Sequence, residues 1–128
     1  MSAMRSPEHM QAAVHAYIAA LNAADLDAIV ALYADDAVVE DPVGSPPKRG
    51  IAEIRAFYAG SLRMQLQVAL EGDIRVAGNE AVFAFSVSFQ ASGQRTTIHP
   101  IDLFRFDANG RIIEMRAFFG AANIHSAA

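Results

Sequence analysis

Asp102 is the residue of this chain whose surroundings most need explaining. It stands in His99-Pro100-Ile101-Asp102-Leu103-Phe104, and in a strand its same-face neighbours are Pro100 and Phe104. A carboxyl there loses water and has no cation in the local sequence, so its pKa is expected to rise. Two readings stay open: a carboxyl at a sheet edge or paired with a distant arginine, or a carboxylic acid held protonated as a hydrogen-bond donor. Asp41 ends the run Ala37-Val38-Val39-Glu40-Asp41 and precedes Pro42, which biases it toward extended geometry at a strand end. By itself it also reads as an ordinary turn aspartate. Tyr17, Tyr33 and Tyr58 recur on the apolar faces of three predicted helices. Each alone reads as a core filler with its hydroxyl at the rim, but buried hydroxyls need partners and three of them can bond one another.

Other chemistries lack their residues. Asp35, Asp36 and Glu40 lie near Asp41, yet their spacing matches no calcium loop, and His9, His15, His99 and His125 are scattered, so no metal site is expected. There is no glycine-rich phosphate loop and no nucleophile elbow. With no cysteine there is no disulfide, thiol nucleophile or Cys-ligated metal.

The elements that must position these groups follow from period and punctuation. Ser6-Pro7 reads as an N-cap and first helical residue, and Val14, Tyr17, Ile18 and Leu21 continue at helical spacing, giving a helix over Pro7 to Ala23. Asp25 caps a second, in which Leu26, Ile29, Val30 and Tyr33 predict helix to about Ala34. A short strand over Ala37 to Asp41 leads into PVGSPPKRG, residues 42–50, a loop with three prolines and two glycines. Ile51, Ile54, Phe57, Tyr58 and Leu62 define a third helix. From about Gln65 the period becomes two: Phe83, Phe85, Val87 and Phe89 alternate, Ser92-Gly93 turns the chain, and a strand runs to Phe106. Asp107 to Gly110 turns it again into a last strand over Arg111 to Phe119. Helices first and antiparallel strands afterwards predict an α+β fold, helices on one face of a curved sheet. Residues 1–128 are read as one domain, with 1–6 and 124–128 expected to be loose.

Composition bounds the partners. The 128 residues are 53% hydrophobic and 19% charged, which excludes disorder as the main state. Net charge is −4 and Lys48 is the only lysine, so no nucleic-acid or anionic-membrane surface is expected. Residues 1–10 do not resemble a secretory signal, and no apolar run reaches a bilayer span, so a cytoplasmic location is expected. Apolar residues occupy both parities of one strand, Ile101 and Leu103 against Phe104 and Phe106. A sheet that is apolar on both faces needs covering twice, which makes one face a candidate interface for a homodimer.

Several of these residues together resemble one family. Tyr17-Ile18, then Tyr33-Ala34-Asp35-Asp36-Ala37-Val38-Val39-Glu40-Asp41-Pro42, then Gly44-Ser45-Pro46-Pro47 are similar to the ketosteroid isomerases, the steroid Δ5–Δ4 isomerases. Ala56-Phe57-Tyr58 and Ile101 through Ile112 resemble the same family, and the similarity runs in order from about Ala12 to Asn123. It implies an NTF2-like, cone-shaped fold: three N-terminal helices on a curved mixed, mostly antiparallel sheet that encloses an apolar cavity. Fold alone does not fix function, because the wider NTF2-like group includes hydrolases, polyketide cyclases and non-enzymes.

The resemblance implies roles residue by residue. Asp41 matches the general base, Tyr17 the oxyanion-hole phenol, Asp102 the protonated acid beside it, and Tyr58 and Tyr33 the supporting hydrogen-bond network. This family is a known example of tuned carboxyl pKa values. Phe57, Phe83, Phe85, Phe119 and Leu62 are the residues expected to shape the steroid site. Phe119 stands where some relatives have Trp, and Phe118 where some have Tyr. The implied reaction converts a 3-oxo-Δ5-steroid to its Δ4 isomer by proton transfer from C4 to C6, with no cofactor; homodimers are usual in the family. Two alternatives differ in what they need. An epoxide hydrolase or polyketide cyclase of the same fold would want Arg105 or Arg116 in the cavity beside a carboxylate, whereas Asp102 and Arg105 have opposite strand parity. A non-catalytic module binding a flat apolar ligand would be indifferent to Asp41→Asn.

Overall fold

The structure is a computed structural model and describes residues 6–127. Residues 1–5, most of the N-terminal stretch expected to be loose, lie outside the described residues, as does residue 128. Ser6 is the N-cap of helix α1 (Pro7–Ala23), its hydroxyl accepting from the His9 N–H at 3.1 Å. Proline fills the first helical position, where no N–H is needed. Met10, Val14, Tyr17 and Leu21 bury one face of α1. Asp25 caps α2 by accepting from Ala28 N–H, as its type predicts.

Helix α2 covers only Leu26–Val30, and Tyr33 opens strand β1 (Tyr33–Glu40). The expected continuation to Ala34 is therefore corrected, and Tyr33 is a strand residue. The spacing of Leu26, Ile29, Val30 and Tyr33 fits a helix face, but Leu32 C=O accepts from Ile112 N–H at 2.9 Å and Tyr33 pairs with Ile112. The sheet captures the chain one turn early. The proline loop is also shorter than expected, because Lys48–Arg49 form β2 and Gly50–Leu62 form α3.

Six further strands follow α3 before the tail. They are β3 (Gln67–Leu70), β4 (Arg75–Ala77), β5 (Glu80–Ala91), β6 (Gln94–Ile98), β7 (Ile101–Phe106) and β8 (Ile112–Phe118). The strand expected from Gln94 to Phe106 is two strands, broken at His99-Pro100 where proline has no N–H for the ladder. Ser92 and Gly93 both take positive φ in the β5–β6 hairpin, the geometry that suits a two-residue turn. The tail, expected to be loose from residue 124, instead adds β9 (Ile124–Ala127), which pairs with β6.

The sheet order is β2-β1-β8-β7-β5-β6-β9, with β3 and β4 also on β5. Among the described residues only β1–β8 is parallel, so the sheet is mixed and mostly antiparallel. Long β5 pairs with β7 through Glu80–Ala84 and with β6 through Val87–Ala91. That change of partner carries the sheet round its own concave side. The helices fill this side: Val14, Ile29, Ile54 and Tyr58 meet Val39, Phe104, Ile112 and Met115 in one core. Strand β7 alternates by burial, with Asp102, Phe104 and Phe106 inward and Ile101, Leu103 and Arg105 outward. No described helix is long and apolar enough to cross a membrane.

Candidate active site

The concave side does not close completely. Between α1, α3 and the sheet lies a cavity of about 260 Å³. Its wall is mostly apolar, and its polar groups are Tyr17, Asp41, Tyr58, Ser61 and Asp102. Helix α1 supplies Tyr17, α3 supplies Tyr58, β7 supplies Asp102, and the turn after β1 supplies Asp41.

Tyr17 is held by aromatic edges. Its ring meets Phe104 at 5.1 Å between centroids, Tyr58 at 6.1 Å and Phe83 at 6.3 Å, all in T-shaped contact. Its hydroxyl lies 3.0 Å from that of Tyr58, which lies 2.6 Å from that of Tyr33. Three hydroxyl protons thus serve two bonds. With Tyr33 donating to Tyr58 and Tyr58 to Tyr17, the remaining proton is on Tyr17, which faces the cavity; Tyr33 stands behind it. Burial raises the pKa of all three phenols well above the ordinary tyrosine value, and the carboxyls of Asp102 and Asp41 add to this for Tyr17. All three stay protonated at neutral pH.

Asp102 is 1% exposed, and its Oδ1 has no hydrogen-bond partner among the described residues. Burial first, and the Asp41 charge second, push its pKa well above the ordinary carboxyl range. Burial thus favours the neutral carboxylic acid, the form that can donate a hydrogen bond. An unpartnered buried carboxyl oxygen is destabilising by about 1–3 kcal/mol, so a site that keeps one is built for a partner. Asp41 is only partly buried, and burial raises its pKa to about 6, which leaves it largely ionised at neutral pH. The two aspartates of this apolar cavity thus differ in burial, and both are shifted toward the neutral form.

Of the residues singled out in the sequence, Tyr17, Asp41, Asp102 and Tyr58 come together on the cavity wall, joined by Phe57, Phe85 and Phe119. Phe83 and Leu62 do not line it. Phe83 shares the inward parity of Phe85 but sits opposite Asp102 in the ladder, beneath the Tyr17 and Phe104 rings. Leu62 ends α3 and packs on the core, while Ser61 beside it turns to the cavity. Ser61, Met64, Val87, Phe89 and Ile98 line the cavity without having been singled out as site residues. The signals were present for some: Ser61 is three residues from Tyr58 on a helix, and Val87 and Phe89 continue the alternation of Phe85. Among the described residues, no group of three or more His, Cys, Asp or Glu side chains could hold a metal ion.

An α+β fold in which helices and a curved sheet enclose an apolar cavity, with carboxyl and phenol groups on its wall, defines an NTF2-like domain. Residues 14–115 match the family model of the SnoaL-like domain. The chain is 40% identical over 115 residues to the steroid Delta-isomerase of Nocardioides simplex, an alignment covering 90% of this chain and 93% of that one. It also superposes on the epoxide hydrolase/cyclase-like enzyme SalBIII of pyran ring formation in polyether salinomycin. The TM-score is 0.87 at 25% identity, over 94% of this chain and 97% of the other. The chain belongs to the ketosteroid isomerase family of SnoaL-like, NTF2-like domains.

Proposed function

We propose that this protein is a steroid Δ-isomerase that moves the double bond of a 3-oxo-Δ5-steroid into conjugation. The observation that carries the reading is the unpartnered Oδ1 of buried Asp102 on the same cavity wall as the Tyr17 hydroxyl and the Asp41 carboxylate. The substrate's ring system lies against the apolar wall, with its carbonyl oxygen toward Tyr17 and Asp102. Asp41 takes the proton from C4, and the electron pair moves onto the carbonyl oxygen as a dienolate. Two donors already in place stabilise that charge without reorganising, each contributing about 10²–10³ in rate. Protonated Asp41 then returns the proton at C6, leaving the conjugated enone and a carboxylate ready for the next turn. No atom is gained or lost, and the chain's own carboxyl and phenol groups suffice.

The relative named steroid Delta-isomerase supports this reading over that of a hydrolase. So do the arginines: Arg105 pairs with Glu114 at 3.0 Å and Arg116 with Glu40 at 3.1 Å, and neither lines the cavity. Incubation with a 3-oxo-Δ5-steroid is expected to produce the absorbance of the conjugated enone. Wild-type protein that gives no turnover from mild acid to mild base overturns the proposal; tight ligand binding that is also unaffected by Asp41→Asn selects a binding module instead.

The proposal extends to a homodimer through the outer face of β7 and β8. Ile101 and Phe118 are direct cross-strand partners there, 45% and 43% exposed, with Leu103 beside them. Exposed apolar residues clustered on a sheet face favour a protein partner, and an identical chain supplies a matching patch.

A further inference from the structure

The isomerase reading needs Asp41 aimed at two carbon atoms, yet no hydrogen bond among the described residues holds its carboxylate. Burial alone accounts for the state of Asp41, with no hydrogen bond to its carboxyl contributing. Its aim is therefore a property of its backbone. That backbone is fixed on one side by the β1–β8 ladder, where Glu40 stands opposite Arg116. On the other side Val43 N–H donates to Ala117 C=O at 2.8 Å. Between these anchors lie Asp41 and Pro42, and Pro42 has no N–H to offer.

We propose that Glu40 is the positioning residue for the base: its carboxylate closes the turn that aims Asp41 into the cavity, and Arg116 fixes that carboxylate from the neighbouring strand. Alternation makes the division of labour possible. Val39 points into the core, Glu40 points to the opposite face, and Asp41 reaches the cavity again. Glu40 Oε2 accepts from Gly44 N–H at 3.0 Å, spanning the three residues that include Asp41. Gly44 takes φ 101°, a conformation that favours glycine and that redirects the chain beyond this N–H. Glu40 Oε1 accepts from Arg116 Nε at 3.1 Å, and the Arg116 guanidinium lies over the Phe118 ring at 5.2 Å. The two donors hold the Glu40 carboxyl below its ordinary pKa, so the clamp is charged wherever Asp41 acts. Ser45 ties the far end of the turn, its Oγ donating to Pro42 C=O at 2.7 Å. A base misplaced by about 1 Å loses about 10² in rate, so a clamp one residue away matters to the chemistry without touching substrate.

This inference rests on the isomerase reading for its kinetic test, and a titration tests it separately. Glu40→Ala is expected to lower kcat by about 10–10² with KM within about twofold. Glu40→Gln keeps an acceptor for Gly44 and is expected to recover most of the rate. In an Asp41→Asn background Glu40→Ala should cost nothing further, because it acts through Asp41; in a Tyr17→Phe background it should cost its full factor. Full kcat in Glu40→Ala, or equal losses in both backgrounds, overturns the proposal. Carbon NMR of the Asp41 carboxyl needs no turnover. Its pKa of about 6 is expected to fall in Glu40→Ala, as the loosened turn admits water, and to stay near 6 in Glu40→Gln, which removes the same charge but keeps the turn. Identical Asp41 titrations in the two variants overturn the proposal. Absence of wild-type turnover removes the isomerase reading instead, and the titration then decides the role of Glu40 alone. Should Glu40→Ala not fold, Arg116→Gln removes only the outer half of the clamp and is expected to move kcat and the titration in the same directions by less; an Arg116→Gln protein matching wild type in both overturns the proposal.

Discussion

Asp102 and Phe83 are direct cross-strand partners in the antiparallel β7–β5 ladder, and each is 1% exposed. The carboxyl is thus walled by a ring on its own face of the sheet, where water would otherwise solvate it. A charged aspartate has no stable place beside Phe83, and a neutral one does. Asp102→Leu removes both the donor and the unpartnered oxygen. It is expected to slow isomerisation by about 10²–10³ while raising stability by about 1–3 kcal/mol, read as a higher Tm. Asp102→Asn retains an N–H donor and should lose less rate. A Leu variant that is both fully active and no more stable would show that the buried carboxyl does neither job.

In the proposed isomerisation Asp41 supplies the pH dependence. As a base it works only when ionised, so kcat/KM is expected to rise with pH through about 6 and then level off. Tyr17, Tyr58 and Asp102 line the cavity with it; both phenols remain protonated over that range, and burial holds the Asp102 carboxyl well above the ordinary carboxyl range. Asp41→Asn should reduce kcat/KM by about 10²–10⁴ and abolish the limb near 6. A pH–rate profile of the variant that keeps this limb assigns the base to another group.

The residues that made the site legible in the sequence were those that broke a local pattern. Asp102 interrupts an apolar strand, and Asp41 closes a β-branched run before proline. Depth in the fold was not legible. Phe83 and Phe85 share parity and chemistry, yet Phe83 lies against the Tyr17 ring beneath the site and Phe85 is on its wall. Tyr33 shows a related ambiguity, since one apolar residue three positions after Val30 fits a helix as well as the first residue of a strand. The Ile124–Ala127 strand carries no alternation in burial, because every one of its residues is exposed; backbone pairing with β6 holds it, helped by the Thr96–Ser126 hydroxyl bond and the His99–His125 ring contact.

Stability should run opposite to activity with pH. The folded pKa of Asp41 is raised to about 6, above the ordinary unfolded value, so between these the folded protein binds a proton that the unfolded chain has lost. The folded state is therefore favoured as pH falls from 7 toward 5, until other carboxylates begin to protonate. Allowing for the partial exposure of Asp41, Asp41→Asn is expected to gain about 1–2 kcal/mol at pH 7, and this gain shrinks as the pH is lowered to 5. Denaturant unfolding at the two pH values measures it. A gain independent of pH would mean that the substitution acts through packing and not through the charge.

The tyrosine chain predicts a graded series. Tyr17→Phe removes the donor that faces the cavity and is expected to cost about 10²–10³ in kcat. Tyr58→Phe leaves Tyr17 its proton but takes away the hydroxyl that donates to it, so a smaller loss is expected. Tyr33→Phe, one bond further away, should cost less again, because polarisation weakens along the chain. The three rates, measured at a pH where Asp41 is fully ionised, order the hydroxyls by distance from the substrate. A Tyr33→Phe loss as large as that of Tyr17→Phe would break the chain as drawn.

The outer face of the sheet gives the last expectation. Ile101 and Phe118 form an exposed apolar pair, while the flanking Arg116–Glu40 and Arg105–Glu114 bonds neutralise the charges around it. A paired charge can enter an interface with its hydrogen bonds already made, whereas a lone one would oppose burial. Sedimentation is expected to show a dimer at micromolar concentration, and Phe118→Arg to shift it to monomer by placing an unpaired cation against its symmetry mate. Wild-type monomer at that concentration would mean that the apolar pair remains in water. Because Arg116 also holds the Glu40 clamp, burying this face in a dimer would shield that ion pair from solvent and tighten the turn carrying Asp41. Loss of the dimer should therefore lower kcat more than it raises KM.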